Sequence, residues 1–231
     1  MSQSIQELID ATLIKKEKRI RSHKFSPSSL GRCYRNQFWN RLNEPITNPI
    51  DARTERIFKA GDFFHNFVQE LIIKNIPGAS AEVLVETPDF KGYADLVLSD
   101  EVIDIKSQHS KAFWYRSKLE WKDLEPKLYC NILQVCFYAV WLRKPLEPAK
   151  KARLVFISKD DLCIQEYPID VEGKWTQEVI KECEILQTFW KEQKLPKAQP
   201  RAYDGKECKY CLWLTKCNKI EKGEKNGNKC K

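Results

Sequence analysis

The stretch Gly92–Ser107, GYADLVLSDEVIDIKS, constrains the fold more than any other part of the chain. Its apolar–polar alternation predicts two β-strands, Tyr93–Leu98 and Val102–Lys106, joined by a turn at Ser99–Asp100. If the loop there holds two residues, Leu98 pairs with Glu101 and Asp95 stands opposite Asp104; without Asn-Gly or Asp-Gly, the turn also allows a register slipped by one residue. Because side chains alternate along a strand, Lys106 emerges on the face of Asp104. Two facing carboxylates repel each other. A hard divalent cation between them turns that repulsion into ligation, since such ions take oxygen ligands. An ammonium group alongside could orient a water. Taken alone, an Asp-x-Lys on a strand marks a solvated face, so the rest of the chain has to decide.

Length and composition allow one sizeable core: 231 residues, 42% hydrophobic. The formal charge of +8 suits a polyanionic partner. The apolar run near Val135–Leu142 is too short to span a bilayer. The N-terminus reads as polar and acidic without a secretory pattern, so the expected location is the cytoplasm.

In chain order, residues 1–22 read as an amphipathic helix ending in the basic run KKEKRIR, a solvated face. Ser26 or Ser28 is a candidate cap for a helix carrying Leu30, Cys33, Tyr34, Phe38 and Leu42 on one stripe. Residues 52–75 give the clearest helical pattern, with Gly61 and His65 four apart on one face. A glycine inside a helix needs a reason, such as the close approach of another element. Ala81–Glu86 reads as a strand. Ser107–Pro126 reads as a polar, aromatic segment with Phe113, Trp114, Tyr115, Arg116 and Trp121, either a wall on which unpaired bases stack or a loop packed on the core. Lys127–Leu142 is an apolar helix from which Gln134 and Tyr138 project one turn apart. Ala152–Ser158 and Leu162–Pro168 form a second hairpin, and Val171–Lys194 a last long helix capped by Asp170. The tail from Lys219 is charged and reads as disordered.

The chain has nine cysteines, an odd and unevenly placed set that argues against a disulfide framework. Cys208, Cys211 and Cys217 crowd into one C-x₂-C-x₅-C stretch, a pattern for bound metal. Cys130, Cys136, Cys163 and Cys183 lie in apolar contexts and read as inert core thiols.

Taken together, the series is a lone early cysteine, G-x-x-x-H, G-x-x-D, D-x-K, Q-x-x-x-Y and the cysteine trio. In that order it resembles the RecB-like branch of the PD-(D/E)XK nucleases. It is most similar to the members that add an iron–sulfur cluster, namely the CRISPR-associated RecB-like exonucleases (the Cas "four" family) and the AddB-type nuclease domains. The resemblance covers about Ser26 to Cys217. It implies an α/β, restriction-endonuclease-like core with a central mixed sheet flanked by helices. The expected organisation is an N-terminal helix (1–25), one nuclease domain (26–218) with a cluster segment at 208–217, and a basic tail (219–231).

Residue by residue, the resemblance makes His65, Asp95, Asp104 and the main-chain carbonyl of Ile105 metal ligands. Lys106 becomes the catalytic lysine, and Gln134 and Tyr138 support the active site and contact DNA. Cys33, Cys208, Cys211 and Cys217 become the ligands of a [4Fe–4S] cluster that joins the two ends of the chain. Asp104 departs from the glutamate that many members carry. Thiolates suit such a cluster; the competitor is zinc on Cys208, Cys211, Cys217 and Cys230. A mixed His and carboxylate set suits Mn²⁺ more than Mg²⁺. The implied function is a metal-dependent DNA exonuclease acting on single strands or free ends. Its setting would be CRISPR adaptation, recombination and repair, or viral DNA processing, alongside proteins of those pathways. No membrane partner is expected, and a homo-oligomer stays open. The alternatives are a DNA-binding adaptor with a weak site, a zinc-stabilised interaction protein and a sequence-specific endonuclease.

Overall fold

Runs of alternating apolar residues lay down five strands that form one sheet in chain order: β1 (Ser80–Glu86), β2 (Lys91–Val97), β3 (Glu101–Gln108), β4 (Lys151–Ser158) and β5 (Ile164–Asp170). The computed structural model describes residues 4–14, 21–142 and 151–227. Seven α-helices accompany the sheet among these residues: α1 (Ile5–Ile14), α2 (Tyr34–Arg41), α3 (Ala52–Asn75), α4 (Ser110–Ser117), α5 (Trp121–Trp141), α6 (Lys174–Lys191) and α7 (Leu214–Gly227). Only the β3–β4 step is parallel; the other three are antiparallel. A parallel step needs a long crossover, and α4 and α5 lie within it. The expected mixed α/β sheet flanked by helices is therefore present.

One face of the sheet packs on α5, whose Leu128, Ile132, Leu133 and Phe137 join Val102, Leu154 and Phe156, with Val179 and Leu186 of α6 completing the main core. The opposite face packs on α3, where Val68 and Ile72 meet Leu96, Ile103, Ile105, Val155 and Ile157. A third, small cluster joins Phe38 and Trp39 of α2 to Trp213 near the C-terminal end. Burial of these three apolar faces supplies the main drive for folding.

The pleat of β1 and β2 reverses where Glu82 lies across from Asp95. Ala81 belongs with the α3 face, whereas Val83 and Val85 belong with the α5 face; in β2, Leu96 and Ala94 divide in the same way. Residues two apart on a regular strand share a face. Glu82 accounts for the break, because its φ of 50° lies in the left-handed region that non-glycine residues seldom adopt.

Several expectations need correction. Residues 21–22 are not helical, and α1 ends by Ile14 within the described part; most of KKEKRIR lies outside the described residues. Phe25, expected to precede the domain, is 1% exposed and bridges Phe90. The helix expected from Ser26 is split into a short 3₁₀ turn, Pro27–Ser29, and α2, because Gly31 with φ 76° turns the chain. Residues 107–126 are not a loop: they hold the end of β3, all of α4 and the start of α5. β5 begins two residues later than expected, and α6 starts at Lys174 after a Gly173 cap rather than at Asp170. The tail is helical as far as Gly227, since α7 anchors it through Ile220 against the third cluster and Glu221 to Arg35. The last four residues, with Cys230, lie outside the described residues.

Candidate functional site

The hairpin of β2 and β3 forms with the expected register. Leu98 donates its N–H to Glu101 O at 2.8 Å, and Leu96 pairs with Ile103. Extended by one residue, this register sets Asp95 across from Asp104, yet the ladder stops at Leu96. Instead the Asp95 side chain takes up the vacant main-chain donor: Oδ2 accepts from Ile105 N–H at 2.7 Å. Lys106 stands on the Asp104 face as expected, and its Nζ donates to Asp104 Oδ1 at 2.7 Å and to Gln134 Oε1 at 3.4 Å. Asp104 is 1% exposed, and its second oxygen, Oδ2, has no hydrogen-bond partner.

The helices complete the site from both sides of the sheet. α3 brings His65, whose Nδ1 lies 3.8 Å from Asp95 Oδ2. One turn later, buried Gln69 donates to Asp95 O at 3.0 Å and to Glu82 Oε1 at 2.8 Å. α5 brings Gln134 and Tyr138. A methyl group on Gly92 would lie 2.6 Å from the Tyr138 hydroxyl and 2.9 Å from Pro27 Cδ, so this position admits only glycine without movement. Gly61 gives the opposite result: a methyl there would sit 3.7 Å from Ser107 Oγ, an ordinary contact, so close approach does not require the glycine.

Burial sets the electrostatics. It lifts the Asp104 carboxyl to about 6 despite the adjacent Lys106 ammonium, and raises Asp95 as well. His65 is held below its ordinary value by burial and then by Lys106, so it is neutral at pH 7. Burial, with Asp104 and Asp95 nearby, pushes the Tyr138 phenol well above its usual value. Thus His65, Asp95, Asp104, Ile105, Lys106, Gln134 and Tyr138 converge on one place. Gln69 and Glu82 are additions that sequence reading missed; Gln69 carried a signal, its place one turn after His65. Among the described residues, no three His, Cys, Asp or Glu side chains are arranged to hold a single metal ion.

The aromatic segment divides by role. Phe113 is buried, Arg116 lies 3.9 Å over the Phe156 ring, and Trp121 stacks on Tyr167. Trp114 and Tyr115 remain exposed.

Far along the chain, the four cysteines come together. Cys33, Cys208, Cys211 and Cys217 line one cavity of about 130 Å³, with Arg35, Asn36 and Glu207. Cys33 caps α2 rather than lying inside a helical stripe. Buried Glu207 accepts from the Cys33 N–H through both oxygens at 3.1 Å, and from the N–H groups of Arg201 and Ala202. Burial first, and the other cysteines next, push the Cys208 thiol up. Cys136 and Cys183 are buried in the main core as expected, while Cys130 and Cys163 are only partly buried.

No protein-family model and no curated protein matches the chain. Among solved structures, the crystal structure of SSO0001 is similar over 93% of this chain and 96% of that one, with a TM-score of 0.58 and 19% identity. An alkaline exonuclease from Laribacter hongkongensis is similar over 75% of this chain and 94% of its own, with a TM-score of 0.43 and 14% identity. The likeness to SSO0001 establishes a shared fold across nearly the whole chain.

Proposed function

We propose that the protein is a metal-dependent DNA exonuclease of the RecB-like PD-(D/E)XK type, acting on single strands or free ends. The observation that carries this reading is the unpartnered, buried Oδ2 of Asp104 beside Asp95, His65 and Lys106. A buried carboxylate oxygen without a donor is costly unless a cation completes it. His65, neutral and therefore able to donate a lone pair, would ligate together with Asp95, Asp104 and the Ile105 carbonyl after side-chain adjustment, because these groups do not yet surround a single point. One or two Mn²⁺ or Mg²⁺ ions held there would activate a water and neutralise charge on the scissile phosphate. Asp95 is fixed by the Ile105 N–H, so its free oxygen is oriented before substrate arrives. Lys106, steadied by Asp104 and Gln134, is placed to orient the attacking water or to meet negative charge developing on the phosphate. Tyr138, seated against Gly92, keeps α5 and Gln134 in register with the hairpin.

The same proposal gives the four cysteines to a [4Fe–4S] cluster. Four thiols lining one cavity match the Cys₄ ligation of such a cluster.

The test is an anaerobic digestion of end-labelled single-stranded DNA with Mn²⁺, Mg²⁺ or EDTA. Metal-dependent shortening is expected, with Lys106→Ala and Asp95→Ala each reducing the rate by about 10³-fold, in the range of a lost electrostatic stabiliser, while DNA binding persists. Binding without cleavage by the wild type would instead favour an adaptor.

A further inference from the structure

We infer that Arg35 and Asn36 are positioning residues for the group in the cysteine cavity, donating N–H bonds to two of the four cysteine sulfurs, those of Cys217 and Cys211, and favouring the group's reduced state. The inference rests on the proposed iron–sulfur site.

The two residues are the second and third of α2, after the cap Cys33 and Tyr34. Arg35 Nη1 lies 3.4 Å from Cys217 Sγ, and Asn36 Nδ2 lies 3.4 Å from Cys211 Sγ. One short helix therefore presents a cysteine and two donors to the same cavity. Arg35 is 2% exposed. Its Nε donates to Pro196 O at 2.7 Å and its Nη1 also reaches Glu221 Oε1 at 2.8 Å. A buried guanidinium needs anionic company. Glu221 is a half-exposed partner, and a ligating thiolate would be the second.

Reduction adds one electron to a cluster and makes the sulfurs more electron-rich; no bond to the donors forms or breaks. Hydrogen bonds to the sulfurs and a nearby buried cation stabilise that more negative state, which raises the reduction potential. A plain structural clip between α2, Pro196 and Glu221 would leave the potential unmoved.

The experiment compares anaerobically purified wild type, Arg35→Gln and Asn36→Leu. Iron and acid-labile sulfide are assayed first, then the potential is measured by titration with dithionite followed by visible absorbance. Each variant is expected to lose about tenfold in its reduction equilibrium, a potential lower by about 59 mV for a one-electron couple. Iron loss from a variant with unchanged circular dichroism also supports the inference. Unaltered potential and iron content in both variants would overturn it and leave the cluster standing. Wild-type protein without iron and sulfide would remove both the cluster and the inference before any variant is tested. If Arg35→Gln does not fold, the half-buried Asn36 decides.

Discussion

The acidic site and the cysteine cavity are assembled in opposite ways. Asp95, Asp104 and Lys106 come from one hairpin, clamped between α3 and the best-packed helix, α5. The cavity joins a residue near the start of the chain to three near its end, with Cys33 held to Glu207 across 174 positions. The first is held by apolar packing on both faces of the sheet. The second is held by one carboxylate, a few hydrogen bonds and a small aromatic cluster, so a bound group would add much of its cohesion. The proposed chemistry, which needs fixed geometry, falls in the first region, and the proposed long-range fastening in the second.

The largest effect that could break this contrast is Cys33→Ser. Loss of the proposed cluster should cost about 3 kcal/mol, the upper end of the usual single-substitution range, which at about 2–4 °C per kcal/mol for a chain of this size lowers Tm by about 6–12 °C. Asp95→Asn, which keeps an oxygen acceptor for the Ile105 N–H, should leave Tm nearly unchanged. Equal Tm losses in calorimetry would erase the distinction. Gly92→Ala comes next: the methyl group overlaps the Tyr138 hydroxyl and should cost about 1–3 kcal/mol in urea unfolding. Adding Tyr138→Phe should recover part of it, and no recovery would mean Pro27 alone sets the limit.

A pH profile sharpens the picture of the acidic site. Burial lifts Asp104 from 3.8 to about 6, so the folded chain keeps a proton that the unfolded chain has already lost. Stability from this group is thus full below about pH 4 and is lost as pH rises to about 6. Metal-free Asp104→Asn should lack that decline, so its Tm should gain on the wild type between those values; parallel profiles would contradict the shift. Smallest is Gly61→Ala, expected to stabilise by about 0.5–1 kcal/mol through helix propensity, since the space is open. A loss would show that α3 and β3 sit closer than 3.7 Å implies.

Local patterns were the most legible in the sequence. The hairpin register followed from turn length and alternation, and α3 matched its expected range because Asp51 caps it with a bond to Thr54 N–H. What α3 buries was not legible. Its apolar residues gave a clear helical pattern, but only Gln69 is fully buried, and Phe58, Phe63 and Phe67 remain exposed. Periodicity reports that a face exists, not what covers it. Long-range pairings were equally silent: nothing adjacent to Cys208 indicated that Glu207 would bind the Cys33 N–H, or that Arg35 and Asn36 would face other cysteines. The fate of residues 107–126 failed for another reason. Aromatic and charged residues mixed without a dominant period gave no helix signal, and tertiary contacts such as Arg116 over Phe156 decide α4.

The reversal at Glu82 amounts to a phase slip in the sheet. Up to that point the β1–β2 ribbon counts its residues as facing one helix layer, and beyond it the same count faces the other. Asp95 sits on the slip itself, so it belongs fully to neither layer. That position lets one carboxylate meet a histidine from α3 and a backbone donor from β3 together. A perfectly regular ribbon would have committed it to a single side.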